Sequence, residues 1–145
     1  MSTTLLVGLD GEGSGDRAVA FAKRMANQIK DANILVVYVI EWSPFSFQTA
    51  EENAERHKRR EEEISMALER VVTPAVEQLY SNNLKASGLV KHGDVAATLN
   101  AVAVEHSADQ IIVSRSSEGG FAKRIFGSST ANLVMNASVP VTVVA

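Results

Sequence analysis

Short apolar runs rich in β-branched residues constrain the fold of this chain more than any other feature. They read TLLVGL at 4–9, NILVVYVI at 33–40, QIIVS at 110–114 and PVTVV at 140–144. A strand with one face in water alternates apolar and polar residues, whereas a strand buried on both faces is apolar almost throughout. The runs therefore predict strands of a parallel sheet that is covered on both sides.

Helical patterns separate the predicted strands, and a weaker fifth strand is predicted for LKASGLVK at 84–91. The pattern at 14–30 places four apolar residues on one helix face, namely Ala18, Phe21, Ala22 and Met25. The pattern at 94–107 likewise places four on one face, namely Val95, Leu99, Val102 and Ala103. Strands that alternate with helices predict an α/β fold with right-handed crossovers. A chain of 145 residues is expected to form one domain, residues 1–145.

The longest connection, 41–83, begins with the aromatic, turn-like segment WSPFSFQ at 42–48 and continues as a helical stretch that contains Pro74. Its first half includes ERHKRREEE at 55–63, whose charges nearly balance, and predicts a solvated helix face. Its second half predicts a packed helix, because apolar residues recur at spacings of three and four. These residues are Ile64, Leu68, Val71, Ala75 and Leu79.

Composition excludes several classes of function. The formal net charge is −3, which argues against nucleic acid or an anionic membrane surface as the main partner. The absence of cysteine excludes disulfides, thiolate zinc sites and cysteine nucleophiles. No run is long enough to span a membrane, and MSTTLLVGLD lacks the cationic start of a signal peptide. We therefore expect a cytoplasmic protein without membrane insertion that binds small molecules or proteins.

No catalytic constellation is evident in the sequence, and we assign no catalytic residue. His57, His92 and His106 lie apart in the predicted order and lack metal-ligand spacing, so we expect surface or hydrogen-bonded histidines. The acidic pairs fall on the solvated helix, where paired-carboxylate chemistry lacks a pocket.

Two segments at strand ends are candidates for binding an anion. LDGEGSGD at 9–16 leads from a strand into a helix, but Asp16 occupies the place of the third glycine of a dinucleotide fingerprint. Asp10 would project into the crevice where α/β sheets bind ligands, or would act as a helix N-cap. SRSSEGGFAKRIFGSS at 114–129 precedes a helix whose first turn holds small hydroxyl residues, and these fit either a phosphate or an N-cap.

Together these segments resemble the universal stress protein family along the whole chain. The matching elements are Asp10-Gly11 after the first strand, Gly93-Asp94-Val95 without the family's proline, and the final stretch GSSTANLVMNASVPVTVV. The resemblance implies a three-layer α/β sandwich, adenine nucleotide alpha hydrolase-like, with an open five-stranded parallel sheet in the order 3-2-1-4-5. It also implies a stress-response regulator that binds ATP, with Mg²⁺ accompanying it, or AMP or ADP, with at most slow ATP hydrolysis.

The resemblance also implies roles for individual residues at the carboxyl ends of the strands. Asp10 and Val39 would contact the ribose and adenine, and Val113 and Ser114 would form the base of the loop. The phosphates would be bound by Ser117, Gly127, Ser128, Ser129 and Thr130. No metal ligand is assigned.

The glycine motif departs from that of ATP-binding family members, which carry Gly-x-x-Gly, nine residues and then Gly-Ser or Gly-Thr. Gly127 and Ser128 keep the last pair, but Ser114 and Ser117 stand at the first two glycine positions. If these positions need left-handed backbone, each side chain costs roughly 1–2 kcal/mol, and restoring both glycines should strengthen ATP binding. Alternatively, Gly119 and Gly120 allow another loop path, and the serine hydroxyls replace lost donors.

This departure leaves a second function open, a dimeric protein-interaction module of the same family that binds no nucleotide. In either case the last strand would lie at a sheet edge, which proteins usually cover. The resemblance implies a symmetric homodimer through residues 140–144, and a regulatory partner protein that the sequence does not identify.

Overall fold

The computed structural model describes residues 2–9, 15–41, 49–115 and 130–145. It contains a five-stranded, all-parallel sheet in the order β3-β2-β1-β4-β5. The strands are β1 (Thr3–Leu9), β2 (Ala32–Glu41), β3 (Lys85–Gly93), β4 (Gln110–Ser114) and β5 (Val141–Val144). The predicted α/β class, the weak fifth strand and the strand order are confirmed.

Helices connect the strands and cover both faces of the sheet. They are α1 (Gly15–Gln28), α2 (Ala50–Ala67), α3 (Thr73–Ser81), α4 (Val95–Glu105) and α5, whose described part is 130–136. One core lies between the sheet and helices α1 and α3, and a second core lies between the sheet and helices α4 and α5. Leu5 and Val7 of β1 face the first core and Leu6 faces the second. These two cores make the architecture a three-layer sandwich.

The predicted packed helix in the second half of the long connection is interrupted by a π-helical turn, Leu68–Val72. The N–H of Thr73 donates to the carbonyl of Leu68, five residues back, and Pro74 follows at the start of α3. A π turn holds more residues than an α turn, so the buried positions become Ala67 and Val72. The expectation that Leu68 packs was therefore wrong, because Leu68 points outward and is 41% exposed.

Helix α2 is capped at its start and carries ion pairs along its exposed surface. Thr49 and Glu52 form a capping box, in which Thr49 Oγ1 accepts from the Glu52 N–H at 3.1 Å. His57 pairs with Glu61 one turn later, and both side chains are exposed. The predicted solvated face is confirmed, whereas the aromatic segment 42–48 lies outside the described residues.

The turn from β3 into α4 is fixed by Gly93 and Asp94. Gly93 has a φ of 152°, and a Cβ atom there would lie 2.5 Å from Thr98 Oγ1, so a side chain would be strained. Asp94 is the N-cap of α4, and its Oδ2 accepts from the Ala97 N–H at 2.9 Å. A capped α4 therefore begins at the carboxyl edge of the sheet.

Candidate functional site

A small pocket lies at the carboxyl ends of β1 and β4, beside the start of α4 and the described part of α5. Its volume is about 10 Å³, roughly enough for one water molecule. Its walls are apolar apart from one threonine, and they consist of Gly8, Leu9, Val95, Leu99, Val113, Thr130 and Leu133. The carboxyl ends of parallel strands are where open α/β sheets bind ligands, so this pocket is the candidate site.

Gly8 allows helix α4 to approach the sheet beneath this pocket. A Cβ atom at Gly8 would lie 3.0 Å from Leu99 Cδ1 and 3.1 Å from Val113 Cγ1. Those distances are tighter than ordinary van der Waals contact. The absence of a side chain in β1 therefore lets Leu99 pack directly on the strand and form the pocket floor.

Two of the predicted site residues, Val113 and Thr130, line this pocket together. Val113 is buried on the α4 side of the sheet, and Thr130 is half-buried in α5. Val39 is also buried on the α4 side, within the second core, but it does not line the pocket. Because its side chain is only 7% exposed, Val39 offers little surface to a ligand.

Ser114 lies on the opposite side of the sheet from Val113. Its side chain is 1% exposed, and its Oγ accepts a hydrogen bond from the Ala18 N–H in α1 at 3.1 Å. The hydroxyl therefore forms a hydrogen bond within the protein and does not face the pocket.

The backbone at Ser114 does not require glycine. Among the described non-glycine residues, positive φ angles occur at Asp31, Asn83 and Ser107. Ser114 ends strand β4 with ordinary extended backbone, so the strain considered from the sequence is absent at this position. The other predicted residues, Asp10, Ser117, Gly127, Ser128 and Ser129, lie outside the described residues.

Arg17 and Arg115 belong to this edge of the structure, and the sequence analysis missed both. The Arg17 guanidinium donates to the backbone carbonyl of Arg115, and the Arg115 N–H donates to the Val144 carbonyl at 2.7 Å. The sequence shows Arg17 near the start of the first predicted helix. It does not show that the hydrogen-bond acceptor of Arg17 is a backbone carbonyl 98 residues away.

The described residues contain no group of three or more histidine and acidic side chains able to hold a metal ion. His92 of β3 is half-buried, with its side chain 9% exposed, and its Nε2 is hydrogen-bonded to Glu63 Oε2 at 3.2 Å, as expected for a hydrogen-bonded histidine. Its Nδ1 has no hydrogen-bond partner among the described atoms. His92 and Glu63 together provide only two ligands, which are too few for a metal site.

In the part of the chain that the structure describes, no helix is long and apolar enough to cross a membrane.

Comparison with known proteins identifies a family and a fold. The model of the universal stress protein family matches residues 1–145. A universal stress protein from Lactobacillus plantarum superimposes with a TM-score of 0.81 at 19% identity, covering 99% of this chain and 97% of that chain. No curated protein matches the sequence.

Two further similar structures contain adenine nucleotides. A universal stress protein in complex with cAMP has a TM-score of 0.66 at 21% identity, covering 99% of this chain and 96% of that chain. An Arabidopsis thaliana family protein with AMP bound has a TM-score of 0.61 at 16% identity, covering 98% and 90%. At these identities the structural likeness establishes the fold alone.

Proposed function

The chain belongs to the universal stress protein family, and we propose that it binds an adenine nucleotide at the carboxyl ends of β1 and β4. The observation that carries the proposal is the pocket lined by both Val113 and Thr130. In the sequence Thr130 follows Ser129 and the retained pair Gly127-Ser128. Helix starts favour anions because their first N–H groups are free and carry partial positive charge. A phosphate at the start of α5 would place the rest of the nucleotide along this edge.

The residues divide between the two ends of the ligand. Asp10 and Val39 would lie near the ribose and adenine, although the side chain of Val39 is only 7% exposed and would contribute a small contact. Val113 and Ser114 would support the loop. The phosphates would be bound by Ser117, Gly127, Ser128, Ser129 and Thr130. Because the pocket of about 10 Å³ is far smaller than a nucleotide, most of the ligand would lie above it, with Val113 and Leu99 beneath.

Related proteins support the choice of ligand. Family members of the same fold are known with cAMP and with AMP. ATP, with Mg²⁺ bound to its phosphates, is proposed from the retained glycine-hydroxyl pair at 127–128. In this proposal the single domain, 1–145, is a cytoplasmic stress-response regulator with at most slow ATP hydrolysis, which acts on a protein partner still to be identified.

Calorimetric titration of the purified protein tests this function. We expect saturable binding of one ATP per chain in the presence of Mg²⁺ and weaker binding of AMP at the same concentrations, because AMP has fewer phosphates. Mass spectrometry of small molecules released from the purified protein would give an independent identification. If no adenine nucleotide produces heat or co-purifies, the proposed function is wrong.

A second candidate function, the protein-interaction module, is favoured by exposed apolar side chains on β5 and α5. Strand β5 ends the sheet and pairs with β4 on one side. Val143 is 39% exposed, and Val134 and Met135 of α5 are 51% and 80% exposed. An apolar edge strand of this kind is usually covered. We propose that a second copy of the chain covers it in a two-fold symmetric dimer.

Replacing Met135 and Val143 by lysine together is expected to convert the dimer to monomers. Both side chains are exposed in the single chain, so the change should leave the fold intact, whereas unpaired charges buried between copies typically cost 3–5 kcal/mol. The dimer dissociation constant should rise at least about 100-fold. Light scattering across a concentration series would measure it.

The matched control for this experiment is Val104→Lys, since Val104 is 57% exposed on α4 and lies away from β5. That variant should remain a dimer. A wild type that is monomeric at micromolar concentration, or a double variant that stays dimeric, would contradict the proposed interface.

A further inference from the structure

The end of β4 and the start of α1 are joined by two hydrogen bonds that connect distant parts of the chain. The Ser114 hydroxyl accepts from the Ala18 N–H at 3.1 Å, in a buried position. One residue later, the Arg115 carbonyl accepts from the Arg17 guanidinium. Ala18 is the fourth residue of α1, so both contacts hold the first turn of that helix.

The same network of hydrogen bonds extends to the last strand. The Arg115 N–H donates to the Val144 carbonyl at 2.7 Å, so the backbone of Arg115 is bonded to α1 on one side and to β5 on the other. Ser114 is only 1% exposed, and its hydroxyl is therefore screened from competing water. A buried bond of this kind is retained better than an exposed one.

We propose that Ser114 is a positioning residue of the nucleotide site, whose hydroxyl fixes the first turn of α1 against the end of β4. This inference rests on the proposed function. In the sequence Ser114 stands where ATP-binding relatives have glycine, and glycine cannot make this bond. Glycine would leave the backbone at position 114 flexible, whereas the serine hydrogen bond holds it in place. The end of β4, which leads into the phosphate loop, therefore has its binding conformation before the ligand binds.

A consequence is that Ser114→Gly should weaken ATP binding, the reverse of what the glycine pattern predicts for this position. Ser114 has no backbone strain for glycine to relieve, and the glycine variant loses a hydrogen bond and gains conformational freedom. One net hydrogen bond corresponds to a change of about three- to tenfold in affinity. Pre-organisation contributes to affinity by lowering the ordering cost of binding.

The experiment compares Ser114→Gly and Ser114→Ala with wild type by calorimetric titration with ATP and with adenosine. Each variant is first checked by circular dichroism to be fully folded at the titration temperature. Ser87→Gly, an exposed serine-to-glycine change in β3, is the matched control. We expect the alanine and glycine variants to bind ATP about three- to tenfold more weakly, and the control variant to stay near wild type.

Adenosine separates positioning from a general structural effect. In the proposed function the hydrogen bonds of Ser114 and Arg115 hold the end of the site that binds the phosphates. Ser114→Ala should therefore lower ATP affinity more than adenosine affinity. Hydrogen exchange of the Ala18 amide should also become about three- to tenfold faster in the alanine variant without ligand.

The outcomes distinguish this inference from the proposed function. Absence of ATP binding by wild type overturns the proposed function and the role of Ser114 with it. If wild type binds ATP and Ser114→Ala binds equally well, or loses ATP and adenosine affinity alike, only the role of Ser114 is overturned. If alanine behaves as wild type while glycine alone is weak, backbone freedom rather than the hydroxyl is responsible, and the inference is again wrong.

Discussion

Valine in place of Gly127 is expected to lower the affinity for ATP at least about 100-fold, which would abolish detectable binding in an ordinary titration. Gly127 is the retained glycine before the hydroxyl residues at the predicted start of the last helix, where in this proposal a phosphate would approach the backbone closely. Hydrogen bonds to a charged group contribute about 1.5–3 kcal/mol each. A side chain that displaces the phosphate from two such bonds accounts for the predicted loss.

This prediction has an internal control in adenosine, which has no phosphate. Gly127→Val should change the affinity for adenosine much less than the affinity for ATP. Near-wild-type ATP binding by Gly127→Val would mean that the phosphates lie elsewhere, even if the protein binds the nucleotide.

Alanine in place of Gly88 is expected to reduce the free energy of unfolding by about 2–3 kcal/mol. A Cβ atom at position 88 would overlap Val72 Cγ1 and lie 3.1 Å from Val76 Cγ2. Val72 is 1% exposed and is held by the π turn, so it cannot move outward. Extra carbon atoms in a closely packed core typically cost 1–3 kcal/mol, and urea denaturation would measure the difference.

The neighbouring substitution Ser87→Ala is the matched control, because Ser87 is exposed on the other side of the same strand. It should change the unfolding free energy by less than about 0.5 kcal/mol. If Gly88→Ala proves as stable as wild type, the packing of the π turn against β3 is looser than the structure indicates.

Much of the fold could be predicted from local patterns in the sequence. Uninterrupted apolar runs such as residues 33–40 and 110–114 suit strands buried on both faces, which is the condition of a parallel sheet covered by helices. The sequence analysis placed Ala18 and Leu99 on helix faces directed to the core, and both are buried there. The exception was Leu68, because a regular helical period does not anticipate a π turn.

The candidate site was predictable in part. The roles of Val113 and Thr130 came from the resemblance to the family, and both residues line one pocket in the structure; whether that pocket binds a ligand stays a prediction. The sequence also left two interpretations of Ser114 open. Neither anticipated that its hydroxyl would accept from the backbone of α1 on the opposite side of the sheet.

By itself, the sequence determined the α/β class, the buried strands and most helix faces, because apolar periodicity reports how each short segment meets a core. Only the tertiary structure decided the partners of Ser114 and Arg17, which lie 96 and 98 residues away along the chain. It also decided that Val72 rather than Leu68 faces the sheet. The physical reason is that a hydrogen bond or close contact between remote segments depends on the position of both backbones, and no local pattern encodes that position.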